Sequence, residues 1–152
     1  VTGGDDVFPD PLHDPEQIAN ECEAHFQGAL GIMQPTGDRH LVDKDGRCSA
    51  ERVCISPWMG REWCERAYQG EGPLCDEYFH FYVDEELHVI AEQQNLLLHR
   101  PDLSQYHAWW SREKKQAPTH FVDAKKGWDV AKNLFNRRKW EGFPGSELTI
   151  KA

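Results

Sequence analysis

The stretch DEYFHFYVDEELHVIAEQQNLLLHR, residues 76–100, constrains the rest of the chain more than any other. Its first residues have the aromatic content of a strand, and its later ones the spacing of a helix. The pattern predicts a short aromatic strand running straight into a long helix. On that helix Glu85, His88, Glu92 and His99 stand at offsets of 0, 3, 7 and 14, which places all four on one stripe. His80 sits on the strand just before, on the side of Tyr78 and Tyr82 and opposite Phe79 and Phe81. Carboxylates and imidazoles gathered in this way suit a metal or an acid–base site, or the wet face of a helix.

The chain has 152 residues, the size of one domain able to bury a core, and six Trp, seven Phe and four Tyr supply bulk. We expect a single domain over 1–152, with residues 1–13 an extended lead-in. No apolar run approaches the ~20 residues that span a bilayer, so no membrane span is expected. The opening VTGGDDVFPDPLHDP lacks the basic start and apolar centre of a signal peptide, although a mature chain cut from a precursor can begin like this. Charge is unevenly spread. Residues 1–111 carry 7 Lys and Arg against 21 Asp and Glu, whereas residues 112–152 carry 10 against 5. An acidic body with a basic last quarter does not suit nonspecific coating of nucleic acid; it does suit a local anion-binding surface. The five cysteines, Cys22, Cys48, Cys54, Cys64 and Cys75, form two bridges plus a free thiol in an exported chain, or buried small hydrophobes in a reducing compartment. None pairs as C-x2-C or C-x4-C, which disfavours a zinc site.

Along the chain, Asp14-Pro15-Glu16-Gln17 is a helix start, with Asp at the N-cap and Pro at the first helical position. Ile18, Cys22, Phe26, Ala29 and Met33 recur at helical spacing and predict a helix over 15–33. Residues 34–47 are turn-rich, with a brief strand at 40–42 and a tight turn at Asp43-Lys44-Asp45-Gly46, which lacks the later ligands of a calcium loop. Short helices are expected at 49–55 and 61–68. Beyond Pro101 a helix is predicted over LSQYHAWWSREKKQ, then a strand at 119–122, a helix at 128–140 and an edge strand at 147–151.

Two further groups carry chemistry. His120-Phe121-Val122-Asp123-Ala124-Lys125 places Asp-x-Lys at the end of a predicted strand. That pattern resembles the signature half of restriction-endonuclease-like nucleases, and the resemblance implies an acid on a metal and a lysine on water or phosphate. Cys48-x5-Cys54 followed by Ser56-Pro57-Trp58 resembles the cysteine segment of bacterial polymorphic-toxin nucleases. There a cysteine pair and a Pro-aromatic step precede a histidine-bearing metal centre, for which His80 and His88 stand here. The likeness implies a secreted effector, or one delivered by a bacterial secretion system, and a cognate inhibitor protein as partner. Other templates are absent: no G-x-S-x-G elbow, no Gly-rich phosphate loop, no H-E-x-x-H. Cys64 or Cys75 paired with a histidine remains an open nucleophile. Trp109-Trp110, followed by Arg112, Lys114 and Lys115, has the composition to stack bases.

The expected fold is a helix-dominated α+β domain with four or five helices and a small sheet from segments near 40, 78, 120 and 148. The leading functional expectation is a metal-dependent nuclease of the effector-toxin type acting on a nucleic acid substrate. Asp84, Glu85, His88 and Glu92 would hold Mg, Mn or Zn; His80 or His120 would be the base; Asp123 would be a further acid and Lys125 the phosphate contact. The alternatives are a protein-binding domain using the aromatic, basic last quarter, and a disulfide-braced secreted protein.

Overall fold

A computed structural model describes residues 7–40, 42 and 45–149. The architecture is α+β and helix-dominated. In chain order it comprises strand β1 (Val7–Phe8), helix α1 (Pro15–Phe26), β2 (Ile32–Pro35), β3 (Trp58–Met59), α2 (Arg61–Arg66), α3 (Val83–Gln93), β4 (Leu97–Arg100), β5 (Tyr106–His107), α4 (Thr119–Lys125) and α5 (Trp128–Trp140). β2 is the centre of a three-stranded sheet, antiparallel to β3 and parallel to β4, with Ile32 opposite Leu97 and Pro35 opposite Arg100. β1 and β5 form a separate antiparallel pair. Among the described residues no helix is long and apolar enough to cross a membrane.

The small sheet is present, but the segments near 78 and 120 do not contribute strands to it. Residues 76–82 are turns, not a strand. Tyr78 is buried because its hydroxyl donates to Glu86 Oε2 at 2.8 Å, while Phe79 lies almost fully exposed. The alternation of aromatic residues serves a loop folded back on α3. Near 40 there is a single bridge, Val42 to Cys48, and residues 147–149 are irregular. Leu41, Asp43, Lys44 and the end of the expected tail strand lie outside the described residues, as do residues 1–6 of the lead-in. Residues 119–122 are helical, because Phe121 and Ala124 recur at helical spacing and Pro118 supplies the carbonyl that Phe121 and Val122 bond.

Two helices end earlier than their apolar patterns suggest, each at a left-handed residue. α1 starts as expected, with Asp14 accepting the Glu16 N–H at 2.7 Å, and stops at Gln27 (φ 55°). There Gly28 N–H reaches back to Glu23 O at 2.9 Å. α3 stops before Asn95 (φ 57°), with Leu96 N–H bonded to Ala91 O at 2.8 Å. Residues freed by these caps become β2 and β4, so His99 belongs to a strand rather than to the helix stripe. The predicted helix over 103–116 gives way to β5 and a turn. Asp10 captures the Ser104 N–H at 2.8 Å and anchors that segment beside β1.

The core lies between the sheet, α2, α3 and α5, with Ile32, Trp63, Leu87 and Phe143 fully enclosed. Gly60 admits a close approach of two backbones: a Cβ there would stand 2.1 Å from Ala29 O, and its N–H bonds Gly31 O at 2.8 Å. Gly60→Ala is therefore expected to lower the unfolding free energy by about 2 kcal/mol through forced backbone displacement. A denaturant midpoint equal to that of the parent would contradict the close approach.

The most consequential polar element is fully enclosed. Arg138 of α5 grips Glu86 of α3 with Nε to Oε2 and Nη2 to Oε1, both at 2.9 Å. Tyr68 and Tyr78 hydroxyls donate to the same carboxylate at 3.0 and 2.8 Å, and Nη2 also reaches Pro144 O. On α5, Ala131, Leu134 and Phe135 face the core, while Lys132, Arg137 and Lys139 are exposed. Arg138 is the exception that ties α5 to α3.

Candidate functional site

Three cavities meet at His107 and Trp109, which line all of them. β5 and the turn after it deliver these two side chains. The largest of the three, about 540 Å³, is an apolar groove walled by Phe81, Tyr82, Trp109, Phe121 and Trp128. Its walls are held by edge-on ring contacts, Phe81 to Trp128 at 4.7 Å and Trp109 to Phe121 at 5.0 Å between centroids. Asp84 and Glu85, from the first turn of α3, line it too, with His80 and His107.

The second cavity, about 500 Å³, continues over Phe121 and Trp109. It is lined by His80, His107 and His120, by Lys115, and by Trp110, whose Nε1–H is buried without a hydrogen-bond partner. The third is small, about 60 Å³, and carries Gln34 and Gln105. Buried polar groups lacking partners are uncommon in folded proteins. Here Gln34 Oε1, Gln105 Oε1, Glu85 Oε2 and Trp110 Nε1 all belong to residues lining these adjoining cavities.

No family model, curated protein or solved structure matches this chain.

Burial pushes the Glu85 carboxyl up to about 8, and the neighbouring Asp84 carboxylate adds to the effect. The backbone N–H groups of Glu85 and Tyr82 pull the other way, as for any acid at the third position of a helix. At neutral pH the group is mostly the uncharged acid, so the groove is less negative than its composition suggests. The folded chain then binds a proton between pH 4.5 and about 8 that the unfolded chain has released. Its stabilising contribution is complete below the lower value and is lost as pH rises through the upper one. Glu85→Gln should flatten that slope. At about pH 9 it should leave the variant more stable than the parent by on the order of 1–2 kcal/mol, because solvent reaches part of this side chain. Urea unfolding at about pH 5 and about pH 9 measures it, and identical slopes in the two proteins would assign the proton elsewhere.

Burial also pushes the Cys54 thiol up to about 12, with Asp84 contributing, so Cys54 stays protonated and is no nucleophile at neutral pH. All five cysteines are free thiols, and Cys75 is likewise raised by burial.

The residues singled out in sequence separate into groups. His80 and His120 come together on the second cavity. Asp84 and Glu85 face the groove, but His88 does not join them: it is buried on α3 against His99 of β4, ring centroids 5.7 Å apart. Burial lowers its pKa and favours the neutral ring. Glu92 is exposed. Among the described residues no three His, Cys, Asp or Glu side chains are placed to hold a metal ion, so the expected set of Asp84, Glu85, His88 and Glu92 does not fit Mg, Mn or Zn. Asp123 and Lys125 sit on a helix rather than at a strand end; both are exposed, and Asp123 pairs with Lys126 at 2.6 Å. The geometry on which the Asp-x-Lys likeness depended is absent.

His107, Gln34 and Gln105 escaped the sequence reading. His80, His120, Asp84, Glu85 and the Trp109-Trp110 pair with Lys115 are the residues singled out in the sequence that do line this cleft.

Proposed function

We propose that this chain cleaves single-stranded RNA by histidine acid–base catalysis in the cleft around His107 and Trp109. The supporting observation is that His80, His107, His120 and Lys115 line one aromatic cavity. Histidine is the side chain best able to give and take protons near neutral pH. Aromatic faces accept any base by stacking, and a lysine with an indole N–H offers donors to phosphate oxygens.

RNA is the substrate class because its 2′-hydroxyl is an internal nucleophile. One imidazole of the His80/His120 pair takes the 2′-hydroxyl proton while that oxygen attacks the adjacent phosphorus. The bond to the 5′-oxygen breaks, and the other imidazole, in its protonated form, gives that oxygen a proton. The products are a 2′,3′-cyclic phosphate and a free 5′-hydroxyl. Lys115 and the Trp110 N–H meet the charge that develops on the non-bridging oxygens. The uncharged Glu85 acid spares the polyanion a repulsive neighbour.

The test is incubation of the purified chain with single-stranded RNA and with DNA of the same sequence in EDTA. Cleavage of RNA alone, leaving cyclic phosphate ends, is the expected result. No RNA cleavage overturns the proposal, and cleavage that EDTA abolishes overturns the acid–base assignment in favour of a metal.

A second reading, a protein-docking domain, is favoured by one observation. Phe79 and Trp140 are 92% and 91% exposed, outside the cleft. Their replacement by Ala leaves RNA cleavage unchanged under the first reading.

A further inference from the structure

The small cavity beside the cleft has an unusual polar character. Gln34, on β2, and Gln105, immediately before β5, are 2% and 8% exposed, and both line it. Gln34 Nε2 donates to Pro35 O at 2.9 Å, and Gln105 Nε2 donates to Ser56 O at 3.0 Å. A backbone carbonyl only accepts, so neither amide can be turned round without setting two oxygens against each other. Each Oε1 is thereby directed away from its carbonyl, and each is buried with no hydrogen-bond partner. Two unsatisfied acceptors on residues that line one cavity are a standing cost that a ligand with two N–H donors removes.

The two oppositely charged residues of the lining, Arg112 and Asp38, offset each other. Arg112 is ion-paired to Asp38 and its guanidinium lies 3.9 Å from the centre of the Tyr106 ring. The cavity, at about 60 Å³, has room for a substituent rather than for a whole ring. Trp109 lines both this cavity and the groove, so a ring stacked in the groove can project a substituent past it.

We propose that this cavity is a subsite for the exocyclic amino group of a nucleobase, with the oxygens of Gln34 and Gln105 each accepting one of its N–H bonds. The inference rests on the RNA reading and gives that cleft a base preference. Cytosine carries such a group where uracil carries a carbonyl oxygen, which would add a third acceptor to two. Rejection of the wrong base follows from leaving buried polar groups unpaired.

The experiment has a cleavage arm and a binding arm. Poly(C) is expected to be cut about 10–100-fold more efficiently than poly(U), as two amide acceptors gained or lost would give. Independently of cleavage, cytidine 3′-monophosphate and uridine 3′-monophosphate are titrated against tryptophan fluorescence, with a similar preference expected. N4,N4-dimethylcytidine 3′-monophosphate, which keeps the ring and loses both N–H bonds, should bind the unaltered protein no better than the uridine nucleotide. Gln105→Met and Gln34→Met, each checked for folding by circular dichroism, should abolish the preference in at least one variant. Equal binding of the cytidine and uridine nucleotides, undiminished binding of the dimethyl analogue, or a preference surviving in both variants would overturn the subsite. Absence of RNA cleavage with the binding preference intact would instead overturn the RNA reading and leave the subsite standing.

Discussion

Arg138→Met is expected to lower the unfolding free energy by about 3–5 kcal/mol, which leaves Glu86 as an uncompensated charge in the core. Glu86 is 0% exposed and has four hydrogen bonds to its carboxylate, two from Arg138 and one each from Tyr68 and Tyr78. Removing the guanidinium strips the only cation that reaches it among the described contacts, and a folded domain has only ~5–15 kcal/mol to lose. Replacing both partners, as Glu86→Leu with Arg138→Met, should cost less than Arg138→Met alone, since no charge is then buried. It will not be neutral, because the two tyrosine hydroxyls lose their acceptor; adding Tyr68→Phe and Tyr78→Phe to the pair should recover part of the remaining loss. Guanidinium denaturation of this series measures it. A double variant weaker than the sum of its singles would mean that the pair is not the coupled unit described.

The second large effect concerns catalysis. His80→Ala and His120→Ala are each expected to lower the RNA cleavage rate by about 10²–10⁴-fold, the usual worth of a positioned acid or base. Both side chains are exposed, on a bend and on the short helix α4, so neither loss should change the unfolding free energy by more than about 0.5 kcal/mol. If the two act as one acid–base pair, the double variant will be little slower than the worse single. His88→Ala separates this assignment from the helix-stripe expectation. His88 is buried against His99 outside the cleft, so its removal should reduce stability while cleavage by the folded fraction persists. Cleavage retained in His80→Ala and His120→Ala, but lost in His88→Ala, would return the chemistry to α3.

Much of the helical content is legible in the residues themselves. Asp14-Pro15 opens α1, and the spacing of Ala131, Leu134 and Phe135 gives α5 its inward face, because caps and periodicity are local properties. Helix ends were legible in principle: Gln27-Gly28 and Asn95 carry the left-handed turns that stop α1 and α3, but the apolar patterns run past them. The sheet was not legible. Leu97-Leu98-His99-Arg100 has no strong strand preference and becomes β4 because parallel β2 lies alongside, a pairing between distant parts of the chain.

The site divides in the same way. The sequence by itself determined an α+β chain rich in helix, with a histidine- and aromatic-bearing composition whose Trp109-Trp110 pair marked a surface for rings. Only the tertiary structure decided which histidines meet. His80 comes from a bend, His107 from β5 and His120 from α4, and they reach one cleft because Phe81, Trp109, Phe121 and Trp128 pack their segments together. The same packing carried His88 away from the groove that Asp84 and Glu85 line. A helix stripe records which side chains share a face; which neighbour that face meets is set by the burial of apolar rings from elsewhere in the chain.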